Sequence, residues 1–214
     1  MDKKTANKVC AILSPYYPKA TTALQHVDPL QLLVATILSA QCTDKRVNMV
    51  TKDLFKKYKN AKDYAGAKPL VFEKEIRSTG FYKNKAKNII AASKMIAEDF
   101  GGKVPDTMEE LTKLPGVARK TANIVLFHSF KKNEGVAVDT HVKRVSGRLG
   151  FTRNSDPLKI EQDLMSLFDR KKWGVLSNLL ILHGREICNA RKPLCPDCPV
   201  NKLCPSAKKF YPEI

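Results

Sequence analysis

Apolar residues recur at helical spacing through most of the sequence, and this periodicity limits the fold more than any other feature. They stand three or four residues apart in several successive segments, so that each segment has one apolar face. The residues that carry the pattern are Leu30, Leu33, Val34, Ile37, Leu38, Val47, Val50, Leu54, Phe55, Ile89, Ile90 and Ile96. No run of alternating apolar and polar residues predicts a strand, although the segment at 135–140 can be briefly extended. The sequence therefore predicts an all-α protein.

Helix starts and breaks can be placed from local signals. Asp28 followed by Pro29 predicts a helix start, because aspartate accepts hydrogen bonds from free N–H groups and proline suits the first turn. Thr43 before Asp44 predicts the next start. Breaks are predicted at the glycines, namely Gly80, Gly101, Gly102 and Gly116.

The charge of the chain indicates its class of partner. Lys and Arg number 38 against 21 Asp and Glu, which gives a formal net charge of +17 and a pI near 9.7. Such an excess favours a polyanionic partner, DNA or RNA in the first place. The alternative is a solvated, lysine-rich surface without a partner.

Location and size can also be estimated. The first residues, MDKKTANKVC, lack the apolar core of a signal peptide, and no segment approaches the roughly 20 apolar residues of a membrane span. We therefore expect a soluble cytoplasmic protein without membrane contact. With 214 residues, 43% of them hydrophobic, the chain can bury a sizeable core in one or two domains.

Four of the six cysteines lie close together near the C-terminus, spaced C-x6-C-x2-C-x5-C. They are Cys188, Cys195, Cys198 and Cys204. Four thiolates in a short loop can enclose a zinc ion or a [4Fe–4S] cluster, and disulfides are a further alternative that a reducing cytoplasm disfavours. Cys10 and Cys42 lie outside the pattern and are expected to be buried or incidental.

The stretch LPGVARKTANIVL at 114–126 begins as a turn and continues as an apolar helix. Pro115 and Gly116 form the turn, Val117 can fill the core behind it, and the free N–H groups of the next helix then face outward, where a phosphate can bind. A plain turn between helices has the same local pattern. In that case Lys120 is solvated or bound to phosphate, and Asp139 is only a helix cap.

LPGVARKTANIVL, followed by VDTHVKRVSGRLG at 138–150, resembles the helix-hairpin-helix DNA glycosylases, and among them the endonuclease III family. The resemblance runs from about residue 20 to Cys204. It implies that Lys120 and Asp139 are catalytic. A neutral lysine amine can attack the sugar C1′ and remain attached as a Schiff base, and a carboxylate can stabilise cationic sugar as the base departs. We expect Lys120 to be partly buried beside other cations, and His141 to lie near the pocket.

The cysteine loop agrees with the same family in every interval. The resemblance implies a [4Fe–4S] cluster as cofactor, bound by Cys188, Cys195, Cys198 and Cys204. Arg191 and Lys192 lie inside this loop. The cluster is therefore expected to shape a phosphate-binding loop.

A glycosylase must flip its target base out of the duplex and fill the gap. The resemblance implies that Gln41 in LSAQCTD and Phe81 in STGFYKNKA do this, with Lys83, Lys85 and Lys87 as phosphate contacts. The hairpin backbone at Gly116 and Ala118 is expected to contact phosphate as well. Ala118 replaces a second glycine of the family pattern, which costs about 1 kcal/mol if the position has positive φ.

The resemblance implies two helical lobes with the active site in the cleft between them. The expected division is a helical barrel with the hairpin at 22–133 and an iron–sulfur domain at 1–21 and 134–214. The implied enzyme is a base excision repair DNA glycosylase with apurinic/apyrimidinic lyase activity, acting as a monomer on oxidised pyrimidines in double-stranded DNA. Two alternatives remain: a monofunctional adenine or mismatch glycosylase, which lacks the lysine at position 120, and a DNA-binding module without catalysis.

Overall fold

The computed structural model describes residues 1–213, and within them the regular structure is helical throughout. This confirms the predicted all-α class. The segment at 135–140 that can be extended has no regular structure before its last residue, which starts a helix, and Val136, Ala137 and Val138 in it are buried. No helix in this part of the chain is both long and apolar enough to span a membrane.

The chain divides into two compact units. The continuous unit comprises Thr22–Lys132, and the discontinuous unit combines Met1–Thr21 with Asn133–Ile214. Each unit has its own hydrophobic core.

The continuous unit contains seven α-helices. They are α2 (Pro29–Leu38), α3 (Asp44–Lys57), α4 (Ala61–Ala65), α5 (Pro69–Ile76), α6 (Tyr82–Asp99), α7 (Met108–Lys113) and α8 (Arg119–Phe130). Both predicted starts are confirmed: Asp28 accepts the N–H of Gln31 at 2.8 Å, and Thr43 accepts the N–H of Arg46 at 3.3 Å. The predicted breaks are confirmed too, since all four glycines have positive φ.

The core of the continuous unit is built from the apolar faces of these helices. Leu33, Leu38 and Ile89 are almost completely buried in it, as the periodicity predicts. The rings of Tyr58 and Tyr64 stack at 4.9 Å between centroids, and Phe72 packs edge-on against both. Each such side chain contributes about 1.5–3 kcal/mol by its burial. This core is the rigid support for the turns at the helix ends.

The discontinuous unit contains five α-helices, with α1 at the start of the chain. They are α1 (Lys3–Leu13), α9 (Thr140–Leu149), α10 (Pro157–Leu167), α11 (Trp173–Glu186) and α12 (Ala207–Phe210). Helix α1 buries Ala6, Val9 and Leu13 in the same core as α9 and α11. Helices α9 and α11 approach closely because Gly184 has no side chain: a Cβ there would lie 3.0 Å from a methyl carbon of Val145. Close packing of α9 on α11 supports the cysteine loop, which follows α11.

Candidate active site and cysteine pocket

The turn between α7 and α8 depends on a glycine. Gly116 has φ +80°, and a Cβ at this position would lie 2.8 Å from the Cβ of Asn88 on α6. Both the conformation and the space therefore exclude larger residues. Val117 is 5% exposed and fills the core behind the turn, as predicted.

Ala118 is accommodated without strain. Its φ of −84° and ψ of 167° are extended backbone, which any residue adopts, so the 1 kcal/mol cost considered above does not arise. Ala118 is the residue before α8, and no side chain caps the start of this helix. The first N–H groups of α8 can thus donate hydrogen bonds to an anion, which the helix dipole also stabilises.

Lys120 is the second residue of α8 and is exposed. The expected partial burial is wrong, because the helix start projects from the turn and the apolar face of α8 begins only at Ala122. The amine is therefore accessible to a large substrate.

Asp139 occupies the N-cap position of α9 and is partly buried. One carboxylate oxygen, Oδ1, accepts the N–H of Val142 at 2.7 Å. Among residues 1–213 the other oxygen, Oδ2, has no hydrogen-bond partner. The side chain is thus fixed by the cap and still offers a free acceptor.

His141 is the second residue of α9 and is partly buried. Its Nδ1 is 3.2 Å from Nη2 of Arg144. Because arginine only donates hydrogen bonds, Nδ1 is the acceptor and the proton of the neutral ring is on Nε2. Burial lowers the pKa of His141, and the nearby Asp139 carboxylate raises it by less.

Gln41 and Phe81 both lie in turns with a left-handed backbone. Gln41, between α2 and α3, has φ 53° and is exposed. Phe81, directly before α6, has φ 47° and ψ 27°, and its side chain is 62% exposed. Left-handed conformations are uncommon for residues other than glycine, so the surroundings must hold both turns in place.

The three lysines after Phe81 differ in their environment. Lys83 and Lys87 are exposed, in agreement with a phosphate-contacting role. The prediction for Lys85 is wrong: it is 4% exposed, and its ammonium donates to the carbonyl oxygens of Leu38 and Thr79 at 2.7 and 2.8 Å. The sequence contained a signal for this burial, because Lys85 stands four residues before Ile89 on the apolar face of α6.

The four clustered cysteines line one pocket, together with Arg148 and His183. All six cysteines of the chain are free thiols, so the disulfide alternative is not adopted. The pKa of Cys198 is raised to about 11, mainly by burial and to a smaller extent by the neighbouring thiols. Within the described chain, no group of three or more His, Cys, Asp or Glu side chains is arranged to hold a metal ion.

Two arginines of α9 hold the cysteine loop, and sequence reasoning missed both. Arg148 donates to the carbonyl oxygens of Asn189 and Ala190, each at 2.7 Å, and its Nη1 is 3.4 Å from the sulfur of Cys188. Arg144 donates to the carbonyl oxygen of Cys188 at 3.1 Å. Neither residue has a local signal, because its partners are about 40 residues away in the sequence.

His183 was also missed, although it stands on α11 only five residues before the first cysteine of the loop. It is 1% exposed. Its Nδ1 contacts the hydroxyl of Tyr17 at 3.2 Å, and its Nε2 lies 3.6 Å from the sulfur of Cys198. Arg191 and Lys192, in contrast, are exposed within the loop.

Comparisons with known proteins point to the same family as the sequence resemblance. Residues 34–170 match the family model of the HhH-GPD superfamily base excision DNA repair proteins. The chain is 54% identical over 206 residues to endonuclease III of Synechocystis sp., covering 96% of this chain and 94% of the relative. It is 48% identical over 194 residues to endonuclease III of Bacillus subtilis, covering 90% and 88%.

A solved structure has the same fold. It is a trapped endonuclease III–DNA covalent intermediate, an estranged-adenine complex, with a TM-score of 0.93, 42% identity and coverage of 98% of both chains. The alignments to these proteins extend well beyond the hairpin and the cysteine loop. The chain therefore belongs to the HhH-GPD superfamily of base excision DNA repair proteins.

Proposed function

We propose that this protein removes oxidised pyrimidines from double-stranded DNA and then breaks the strand, with Lys120 as the nucleophile that forms a Schiff base. The class of activity is confirmed by the family and by the relatives: the chain is a base excision repair DNA glycosylase with apurinic/apyrimidinic lyase activity, and damaged double-stranded DNA is its substrate. Since the curated relatives are bacterial, we place its action in the cytoplasm, at the chromosome.

The observation that carries the proposal is the placement of Lys120. Its amine is exposed at an uncapped helix start, beside the N–H groups that can bind a phosphate of the same strand. A lysine in this position can reach the sugar of a nucleotide whose phosphate the helix holds. Gly116 and Ala118 are the backbone positions that we assign to this phosphate contact.

The reaction follows from the chemistry of an amine. The neutral Nζ attacks C1′ of the damaged nucleotide, the C1′–N bond breaks, and the base leaves with the bonding electrons and takes up a proton. The sugar ring then opens to a Schiff base between Nζ and C1′. Loss of a proton from C2′ and departure of the 3′ phosphate break the strand by β-elimination, and water finally releases the lysine.

Asp139 supports this sequence in two ways. Its free oxygen, Oδ2, can accept the proton that the ammonium of Lys120 must lose before attack. Its negative charge can stabilise positive charge on the sugar while the base departs. The hydrogen bond from the N–H of Val142 to Oδ1 keeps the carboxylate in one orientation.

We assign Gln41 and Phe81 the role of contacting the bases around the extruded nucleotide. Both side chains project from strained turns of the continuous unit, and Phe81 is largely exposed although it is aromatic. An exposed aromatic ring can stack on bases at the gap that the extruded nucleotide leaves, and an amide can bond to an unpaired base. Lys83 is assigned to a neighbouring phosphate.

Cys188, Cys195, Cys198 and Cys204 are the residues that would hold a [4Fe–4S] cluster. In a cubane each thiolate binds a different iron, so four sulfurs around one pocket fit it without meeting at one point. Arg148 donates a hydrogen bond to the sulfur of Cys188, and such a charged donor stabilises a thiolate more than a thiol. When bound, the cluster would supply a structural core for this loop, which presents Arg191 and Lys192 to DNA phosphates.

The test is borohydride trapping on duplexes that carry thymine glycol, an abasic site, or adenine opposite 8-oxoguanine. A covalent adduct is expected with the first two. It should disappear in Lys120→Gln and persist in Lys113→Gln, since Lys113 is exposed on α7 and pairs with Glu109. Absence of an adduct from intact wild-type protein would overturn the lyase mechanism and favour a monofunctional glycosylase or a non-catalytic DNA-binding module.

A further inference from the structure

Lys85 is a buried ammonium group, and among residues 1–213 no carboxylate lies beside it. Among residues 1–213 its hydrogen-bond partners are two backbone carbonyl oxygens, those of Leu38 and Thr79. Burial lowers the pKa of Lys85. A lysine that only filled the core would be replaced at less cost by leucine or methionine, because removing a charge from water is unfavourable. The contribution of the lysine is therefore the pair of hydrogen bonds that it donates to the two carbonyl oxygens.

The two carbonyl groups belong to the ends of two different elements. Leu38 is the last residue of α2, and Thr79 is the last residue of the 3-10 turn Arg77–Thr79. Carbonyls at helix ends lack partners within the helix. One ammonium group satisfies both and so links two chain segments that are about 40 residues apart.

Each linked segment leads directly into one of the strained turns. Gln41 follows Leu38 by three residues, and Phe81 follows Thr79 by two. In the described chain, three residues other than glycine have positive φ, and Gln41 and Phe81 are two of them. The side chain of Thr79 is itself anchored, by a bond to the carbonyl oxygen of Ile76 at 2.7 Å. The ammonium of Lys85 thus fixes the point from which each strained turn departs.

We infer that Lys85 is a positioning residue for base extrusion: it fastens the turns of Gln41 and Phe81 to one another, so that both side chains enter the DNA in one fixed arrangement. This inference rests on the proposed roles of Gln41 and Phe81 in the duplex. The lysine itself is buried and does not touch DNA. Its effect reaches the substrate only through the two turns.

The inference predicts a loss that depends on the substrate. Lys85→Met keeps the volume and removes the ammonium. We expect single-turnover excision of thymine glycol from a duplex to slow by about tenfold or more, since small displacements of positioning groups have effects of this size. Cleavage of a pre-formed abasic site in single-stranded DNA needs no extrusion, and its rate should stay within about twofold of wild type.

Controls separate positioning from general damage. Lys85→Arg restores a donor that can reach both carbonyls and should recover most of the duplex activity. Lys94→Met makes the same charge change on an exposed face of α6 and should leave both rates unchanged. In a Phe81→Ala background, Lys85→Met should slow duplex excision by less than it does in wild type, because both changes then act on the same step.

The outcomes distinguish the two proposals. An equal loss on both substrates, or no loss on the duplex, would overturn the role of Lys85 while the proposed function stands. If wild type forms no borohydride adduct, the proposed function fails instead. Circular dichroism and thermal unfolding verify folding, and if Lys85→Met does not fold, Lys85→Gln is measured in its place with the same expected selectivity.

Discussion

At the scale of single residues, Gly116 and Ala118 lie two positions apart in one turn and have opposite requirements. Gly116 needs positive φ and has no room for a methyl group beside Asn88. Ala118 is extended. The family pattern alone does not separate these two positions, because it allows glycine at both.

We expect Gly116→Ala to lower the free energy of unfolding by roughly 1–3 kcal/mol and to weaken DNA binding, since the methyl group forces the turn away from α6. Ala118→Gly is the matched change and should cost a few tenths of a kcal/mol, as expected for an N-cap position. Denaturant unfolding of both variants checks this. Equal losses of unfolding free energy in the two variants would show that the turn does not require glycine at position 116.

His141 gives the protein a pH dependence of known sign. Burial lowers its pKa below the usual 6.5, so the folded state binds the proton less tightly than the unfolded state. The stability from the neutral ring is fully present above pH 6.5 and is lost as the pH falls from 6.5 through the folded pKa. Protonation also adds a third positive charge beside those of Arg144 and Arg185, while the carboxylate of Asp139 opposes this effect.

Wild type should therefore lose more stability than His141→Gln when the pH is lowered from about 7.5 to about 5.5. Thermal unfolding at both pH values measures the difference. The same dependence in both proteins would contradict a lowered pKa for this ring.

At the scale of elements, the start of α9 combines a cap with a proposed catalytic group. Asn at position 139 can still accept the N–H of Val142 but carries no charge, whereas Ala can do neither. Asp139→Asn should keep nearly wild-type stability, and Asp139→Ala should lose about 1 kcal/mol. Both should lose most of the base excision activity.

Parallel unfolding and single-turnover measurements test this separation. If Asp139→Asn keeps full excision activity, the residue is a cap only. If its activity falls with its stability, the catalytic role is not separable from the cap.

Elements were more predictable from the sequence than their contacts. The helix starts at Asp28 and Thr43 depend on neighbours within three residues, so local signals are sufficient for them. The strain at Gln41 and Phe81 has no local signal, because neither residue type prefers positive φ. The hydrogen bonds from Arg148 to the cysteine loop join segments that are distant in the sequence, and a sequence pattern does not show such contacts.

At the scale of the whole molecule, the proposed cluster should stabilise one unit more than the other. Purified protein is expected to contain about four iron atoms per chain. Removing the cluster, or replacing Cys198 with serine, should increase hydrogen exchange in 133–213 and leave 22–132 protected. DNA affinity should fall at the same time, because the loop with Arg191 and Lys192 loses its shape.

Mass spectrometry of exchange in loaded and cluster-free protein provides the comparison. Unchanged exchange in 133–213 would show that the pocket folds without the cluster. Zinc in place of iron would support the other metal that the cysteine spacing allows.

The division of the chain also affects how it folds during synthesis. The continuous unit is complete once residue 132 has left the ribosome, whereas the discontinuous unit needs the segments on both sides of it. Helix α1 is made before the continuous unit, yet the partners of Ala6, Val9 and Leu13 lie mostly after residue 133. At ordinary elongation rates the last buried residue of this core, Val200, is made roughly 3–14 s after residue 132. A helix that is translated before the continuous unit is therefore among the last to be buried, and until then its apolar face is a site that chaperones can bind.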